Sequence, residues 1–234
     1  MYRPDTNGVR AERDIVRSRR VFLRKSALGL AATGLLISGC EDDDDDNMTA
    51  AVDLGSGDVG ILNYAYALEQ LESAFYAAVK NGSYYTSAND NERAILDDLE
   101  AHERAHTEFF AAAIASVGTL IPDLEVDFSA IDFSNRNSVL STAMAFEDLG
   151  VSAYNGAGRL LQNPDYLVVA GKIVSVEARH ASVIRSILMS DRTAFAGDDI
   201  IDDNGLEITR TPAQVLRIAS DFITTPINAS NLPG

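Results

Sequence analysis

One four-residue pattern occurs twice in this chain: Glu103-Arg104-Ala105-His106 returns as Glu177-Ala178-Arg179-His180, each time inside a run with helical apolar spacing. Residues three apart lie roughly 60° from each other around a helix, so each Glu and His face the same way. Their neighbours on that face are apolar. They are Leu96, Leu99, Phe109, Phe110 and Ile114 in the first copy, and Ile173, Val176, Val183, Ile184, Ile187 and Leu188 in the second. Each copy thus sets a carboxylate and an imidazole in a core-facing stripe, where an ionised group is costly unless something pairs it. A metal ion is the obvious partner.

A matching half lies upstream of each copy. Ala67-Leu68-Glu69-Gln70-Leu71 is followed by Tyr76, and Ala145-Phe146-Glu147-Asp148-Leu149 by Tyr154. Both read Ala-x-Glu-x-Leu with a Tyr seven residues after the Glu, which returns to nearly the same face after two helical turns. Glu69 precedes Glu103 by 34 residues and Glu147 precedes Glu177 by 30, so the chain reads as two helical hairpins of one plan.

A Glu from each of two helices, with a Glu-x-x-His from each of two others, is the ligand set of ferritin-like di-iron and di-manganese carboxylate bundles. The chain resembles them. Among them it resembles the exported ferritin-like domain family that includes desiccation-related proteins, over roughly Asp58 to Ser190 and in part to Ile223. The resemblance implies an all-α, ferritin-like four-helix bundle with a long crossover between its second and third helices. It implies a metal set of Glu69, Glu103, His106, Glu147, Glu177 and His180 holding two divalent ions, iron or manganese, with Glu103 and Glu177 as the bridging pair. Four carboxylates gathered in a desolvated site cannot all stay ionised without cations. Donor type does not select the metal further, since imidazole with carboxylate also tolerates zinc.

Lesser candidates surround this set. Glu72, one turn beyond Glu69, is a candidate extra ligand or a rim residue, with the rim favoured. Tyr76 and Tyr154 are placed to hydrogen-bond ligand carboxylates across the bundle; the competing reading is two core tyrosines whose hydroxyls find any acceptor. His102, one residue off the ligand face, is expected to be exposed, and Glu100 and Glu108 to be solvated charges.

Residues 1–39 read as an address. Ser18-Arg19-Arg20-Val21-Phe22-Leu23-Arg24-Lys25 resembles a twin-arginine export signal, and the weakly apolar run from Ala27 to Ile37 is too short for a permanent membrane span. Ile37-Ser38-Gly39-Cys40 resembles a lipobox, with cleavage before Cys40 and a lipid on its thiol. As the only cysteine, Cys40 can form no disulfide within the chain. Glu41 to Asp46 is a run of six acids, and residues 40–57 are expected to be an extended, solvated tether. Residues 1–39 carry 8 of the 19 Lys and Arg but 3 of the 35 Asp and Glu, which leaves the mature part at −21. Nucleic acid is therefore not an expected partner, since phosphate binding needs clustered cations.

The bundle is expected over residues 58–192. Its helices run from Asp58, as N-cap, to Lys80; from Ala88 to Val117; from Asn137 to at least Asn155, weakened by Gly156 and Gly158; and from Asn163-Pro164 to Met189. A mostly irregular tail, 193–234, carries one short amphipathic helix near 212–222.

The function these readings imply is an exported, lipid-anchored protein of oxidative-stress defence, facing the periplasm or the cell exterior. Its di-metal pair would oxidise iron(II) or remove peroxide, with metal ions and oxygen or peroxide as partners, the membrane reached through the anchor, and a homodimer compatible. The competing expectation is a non-catalytic envelope or desiccation-related protein with a structural or degenerate metal site. No nucleotide-binding loop or serine-triad signature points to another enzyme class.

Overall fold

The computed structural model describes residues 50–233. The signal expected over 1–39, Cys40 and the acidic run at 41–46 lie outside the described residues.

Four long helices dominate: α1 (Gly57–Asn81), α3 (Asp90–Val117), α4 (Arg136–Gly158) and α5 (Pro164–Met189). A one-turn helix α2 (Ser83–Ser87) links the first two. After α5 come a 3-10 turn (Arg192–Phe195) and α6 (Pro212–Ala219), and two-residue strands β1 (Val52–Asp53) and β2 (Ile227–Asn228) pair in parallel. The fold is all-α, a ferritin-like bundle. Helix α1 packs chiefly on α3, and α4 on α5, giving two hairpins whose apolar stripes close on each other.

The helix ends follow local chemistry. The side chain of Asn89 accepts from Glu92 N, that of Asn135 from Asn137 N and Ser138 N, and that of Asn163 from Asp165 N with Pro164 behind it. Each satisfies amides that have no intrahelical partner. The crossover at 118–135 is held along the bundle by α1: Asn63 Nδ2 donates to Thr119 O and its Oδ1 accepts from Ile121 N, while Gln70 bonds Pro122 O and Leu124 N.

Several expected boundaries move. The second long helix begins at Asp90, not Ala88, because Asn89 caps it and the preceding residues make α2. The N-cap position of the first is Ser56, whose side chain makes no capping bond, and not Asp58, whose carboxylate accepts from Gln162 N and Asn163 N at the entry to α5. The third runs through both glycines to Gly158. Gly156 is needed there for contact, since a Cβ would lie 1.8 Å from the carbonyl oxygen of Arg210 as the tail crosses α4. The tether cannot extend to residue 57: Val52–Asp53 pairs with Ile227–Asn228 and Leu54 is fully buried, so the compact unit starts at Ala51. The tail belongs to that unit. Helix α6 stops at Ala219, and the chain turns so that Ile223 bridges Val126 and Phe222 packs edge-on against Phe146. Among the described residues no helix is long and apolar enough to cross a membrane.

Candidate metal centre

Glu69 comes from α1, Glu103 and His106 from α3, Glu147 from α4, and Glu177 and His180 from α5. The four glutamates are fully buried, and all six side chains meet in the middle of the bundle as two groups. In one, His106 Nδ1 lies 3.3 Å from Glu69 Oε2, 3.5 Å from Glu103 Oε2 and 2.9 Å from Glu177 Oε1. In the other, His180 Nδ1 lies 2.8 Å from Glu103 Oε1, 3.4 Å from Glu147 Oε2 and 3.6 Å from Glu177 Oε2. Glu103 and Glu177 thus give one oxygen to each group, whereas Glu69 and Glu147 serve one group apiece.

Donors coordinated at roughly 2.1 Å around one ion stand about 3 to 3.5 Å from each other, and the observed separations match. These approaches are not directed hydrogen bonds. Nine buried side-chain polar atoms lack a partner among the described residues. Eight are Glu69 Oε2, Glu147 Oε2, both oxygens of Glu103 and of Glu177, and the two His Nδ1 atoms. The ninth is Tyr64 Oη. Unpartnered buried polar atoms are rare and call for an explanation. Eight converging on two points, one imidazole and three carboxylate oxygens at each, fit two cations.

The remaining oxygens of the two non-shared carboxylates are held crosswise. Tyr76 on α1 donates to Glu147 Oε1 on α4, and Tyr154 on α4 donates to Glu69 Oε1 on α1. Burial, and then the neighbouring glutamate, pushes both phenols well up, so they remain protonated donors. Thr107 Oγ1 lies 3.1 Å from Glu69 O and 2.8 Å from Glu103 O, tying α3 to α1 beside the site.

Without metal the site is governed by desolvation. Burial pushes Glu147 up to about 8 and Glu69 well above the carboxylate range, Glu177 and Glu103 adding repulsion at Glu69. At Glu103 burial also pushes upward, but the imidazoles of His106 and His180 outweigh it and hold the group down at about 2. Burial disfavours charge on both imidazoles, yet the surrounding carboxylates raise each to about 12. Protons on nitrogen and oxygen thus do in part what two cations would do in full.

Glu72 joins neither group. It is not on the rim either: it is buried, and burial with repulsion from Glu177, Glu103, Glu147 and Glu69 pushes its carboxyl well up. Space for it comes from Gly150, where a Cβ would lie 3.0 Å from Glu72 Oε1. Glu108 is exposed, and Glu100 lies partly covered between Lys80 and Arg104.

His102 is exposed, as its position off the ligand stripe implies, but it is not idle: its Nδ1 lies 3.0 Å from His180 Nε2. The spacing that marks His106 excludes His102 from the ligand face, and only the approach of α3 to α5 shows the contact. Arg185 was also hidden by sequence. Fully buried, it grips Asp148 through Nε at 2.9 Å and Nη2 at 2.6 Å, and Asp199 through Nη1 at 3.2 Å. Asp148 follows Glu147, so this pair braces the ligand-bearing turn of α4 against α5 and the tail. An acid beside a ligand was its only trace in the sequence.

The sequence model of one protein family, described as a ferritin-like domain, matches residues 57–190. That span holds the four long helices, the six donors and both tyrosines. Comparison with curated proteins gives no match.

Proposed function

The chain belongs to the ferritin-like family, and from that premise we propose that it holds two iron or manganese ions between its hairpins and carries out redox chemistry there. The observation that carries this reading is the pair of donor groups sharing Glu103 and Glu177. His106 and Glu69 would hold one ion, His180 and Glu147 the other, and the shared glutamates both. Two such ions side by side supply adjacent one-electron centres, which suits iron(II) oxidation by oxygen or peroxide, or peroxide removal. The protein keeps that chemistry dry: the ligand carboxylates are sealed, and the adjoining cleft is apolar, about 20 Å³, and lined by Leu68, Phe110 and Tyr154 among others.

The same enclosure favours the second reading, in which the ions are structural in an envelope or desiccation-related protein that turns nothing over. Metal analysis of protein taken from its native envelope, followed by oxygen- and peroxide-consumption assays, separates the two. About two iron or manganese per chain with turnover supports the redox reading, two ions without turnover a structural site, and no metal removes the redox reading and leaves the non-catalytic one with a degenerate site.

Export by the twin-arginine route and anchoring through a lipid on Cys40 belong to the proposal and rest on residues 18–40 alone. Cys40→Ala is expected to move the protein from the membrane to the soluble exported fraction, and Arg19→Lys with Arg20→Lys to leave it in the cytoplasm. Fractionation and mass spectrometry of the mature N-terminus check this; a wild-type protein that is soluble and carries no acyl group removes the anchor.

A further inference from the structure

His102 is an exposed imidazole bonded to a buried one, and nothing in the ligand set calls for it. Its Nδ1 faces His180 Nε2 at 3.0 Å, the two rings are 7° from parallel, and their centroids are 5.2 Å apart. Rings stacked face to face would not bring two nitrogens so much closer than their centroids. The facing nitrogens lie between the two centres and the rings are nearly coplanar, which is the geometry of an in-plane hydrogen bond.

The direction of that bond follows from the other side of His180. Its Nδ1 has oxygens of Glu103, Glu147 and Glu177 within 2.8 to 3.6 Å, so it is the metal-facing atom and is unprotonated when it ligates. A neutral imidazole then carries its proton on Nε2, and His102 Nδ1 is the acceptor that faces it. The other hairpin lacks this device. One residue before Glu177, where the first hairpin has His102, stands Val176, which offers no acceptor, and His106 makes no corresponding bond among the described residues.

We propose that His102 is a positioning residue for the His180 half of the centre: by accepting from His180 Nε2 it fixes the tautomer and the ring plane, and so makes the two metal sites unequal. The proposal rests on the di-metal reading. An outer partner of a ligating histidine contributes about 10- to 100-fold in metal affinity, and here the contribution falls on one ion alone.

Two substitutions separate the acceptor from the ring. His102→Phe keeps an aromatic ring and removes the acceptor; His102→Asn loses the ring and keeps an oxygen near the place of Nδ1. In Mn(II) titrations against a competing chelator, wild type is expected to show two sites. His102→Phe should weaken one of them about 10- to 100-fold and leave the other, and His102→Asn should return the weakened site to within about three-fold of wild type. In the Zn(II)-loaded protein the ring N–H of His180 should be observable by NMR in wild type and His102→Asn and lost to exchange in His102→Phe. Melts of the three proteins in chelator measure any stability lost with the bond and keep it apart from the metal affinities.

Each outcome decides something. Wild type binding two ions with His102→Phe unchanged overturns this inference and leaves the di-metal reading standing. His102→Asn as weak as His102→Phe overturns the acceptor role. Wild type binding neither Mn(II), Fe(II) nor Zn(II) overturns the di-metal reading and this inference with it.

Discussion

The two hairpins of the bundle carry the same ligands on the same plan, but they do not support them in the same way. Glu69, Tyr76, Glu103 and His106 in α1 and α3 answer to Glu147, Tyr154, Glu177 and His180 in α4 and α5. At two corresponding positions the plan breaks: Glu72 answers to Gly150, and His102 to Val176. In both cases the first hairpin has the polar side chain, and in both that side chain is used across the bundle, His102 on His180 and Glu72 in the space over Gly150. A symmetric donor set therefore stands in asymmetric surroundings. On the di-metal reading, equal donors then make unequal sites, because the partner of a ligating histidine changes metal affinity about 10- to 100-fold.

The largest expected effect tests what the hairpins share. Glu103→Ala or Glu177→Ala should weaken both ions by more than about 100-fold, whereas His106→Ala and His180→Ala should each act mainly on one. Titration with Mn(II) reads this directly, and equal loss of both ions in all four variants breaks the division into two groups.

Next comes the question whether Glu69 and Glu147, the unshared pair, are metal ligands or satisfied core residues. Glu69→Leu and Glu147→Leu each leave a buried phenol, Tyr154 or Tyr76, without its acceptor. Both variants should therefore be less stable than wild type in chelator, by about 1 to 3 kcal/mol. In saturating Mn(II) the gap should widen, since only wild type gains the full binding contribution, about 3 to 4 kcal/mol at 100 to 1,000 times the dissociation constant. Equal destabilisation with and without metal removes the ligand role.

A smaller effect is the response to pH, which should run in opposite directions in the two states. Without metal, Glu147 is raised from 4.5 to about 8, Glu69 is raised well above 4.5, and both imidazoles are raised from 6.5 to about 12. Between pH 5 and 8 the folded form then holds more protons than the unfolded chain, so stability declines as pH rises; Glu103, lowered from 4.5 to about 2, acts in the opposite sense but only below about pH 4.5. Melts in chelator should fall from pH 5 to pH 8. With Mn(II) bound, the folded imidazoles carry no proton on Nδ1 while unfolded ones still take one up below about 6.5, so stability should climb from pH 5 to about 7 and then level. Parallel curves with and without metal count against the site.

The smallest effect addresses Glu72 and Gly150. Gly150→Ala should change metal-free stability by no more than about 0.5 kcal/mol. The gain in helix propensity, about 1 kcal/mol, offsets a shift of a few tenths of an ångström at the end of the Glu72 side chain. If Mn(II) affinity is nonetheless altered at one site, Glu72 takes part in the centre; no change makes it a buried bystander.

The hairpin plan was legible in the sequence for a physical reason. A helix repeats its faces at fixed intervals, so Glu69 and Tyr76, or Glu103 and His106, declare a shared direction without knowledge of the fold. The entry to α5 was marked by local chemistry as well, an Asn cap followed by proline at the first helical position in Asn163-Pro164. What periodicity cannot carry is contact between residues distant in sequence. Asp58 has the chemistry of a helix cap, and it does serve amides at a helix entry, but those amides are 104 and 105 residues away. Val52 reads as tether until Ile227 is beside it, and Gly156 reads as a helix terminator until the backbone of Arg210 crosses it. His102 is the clearest case: its own helix directs it away from the ligand stripe, and the partner that gives it a role is on another helix, 78 residues on.

The crosswise tyrosine bonds and the divided donors bear on the order in which this protein can be assembled. His106 stands with Glu177 of the opposite hairpin, His180 with Glu103, and each phenol holds a carboxylate of the other half. Neither hairpin owns a complete coordination shell. A slip of α3 along α5 by one turn, about 5.4 Å, would pull apart every shared pair at once. Each group takes three donors from one hairpin and its fourth from the other, so a chain folded only halfway offers three donors at most and the fourth comes into place only when the hairpins dock in register.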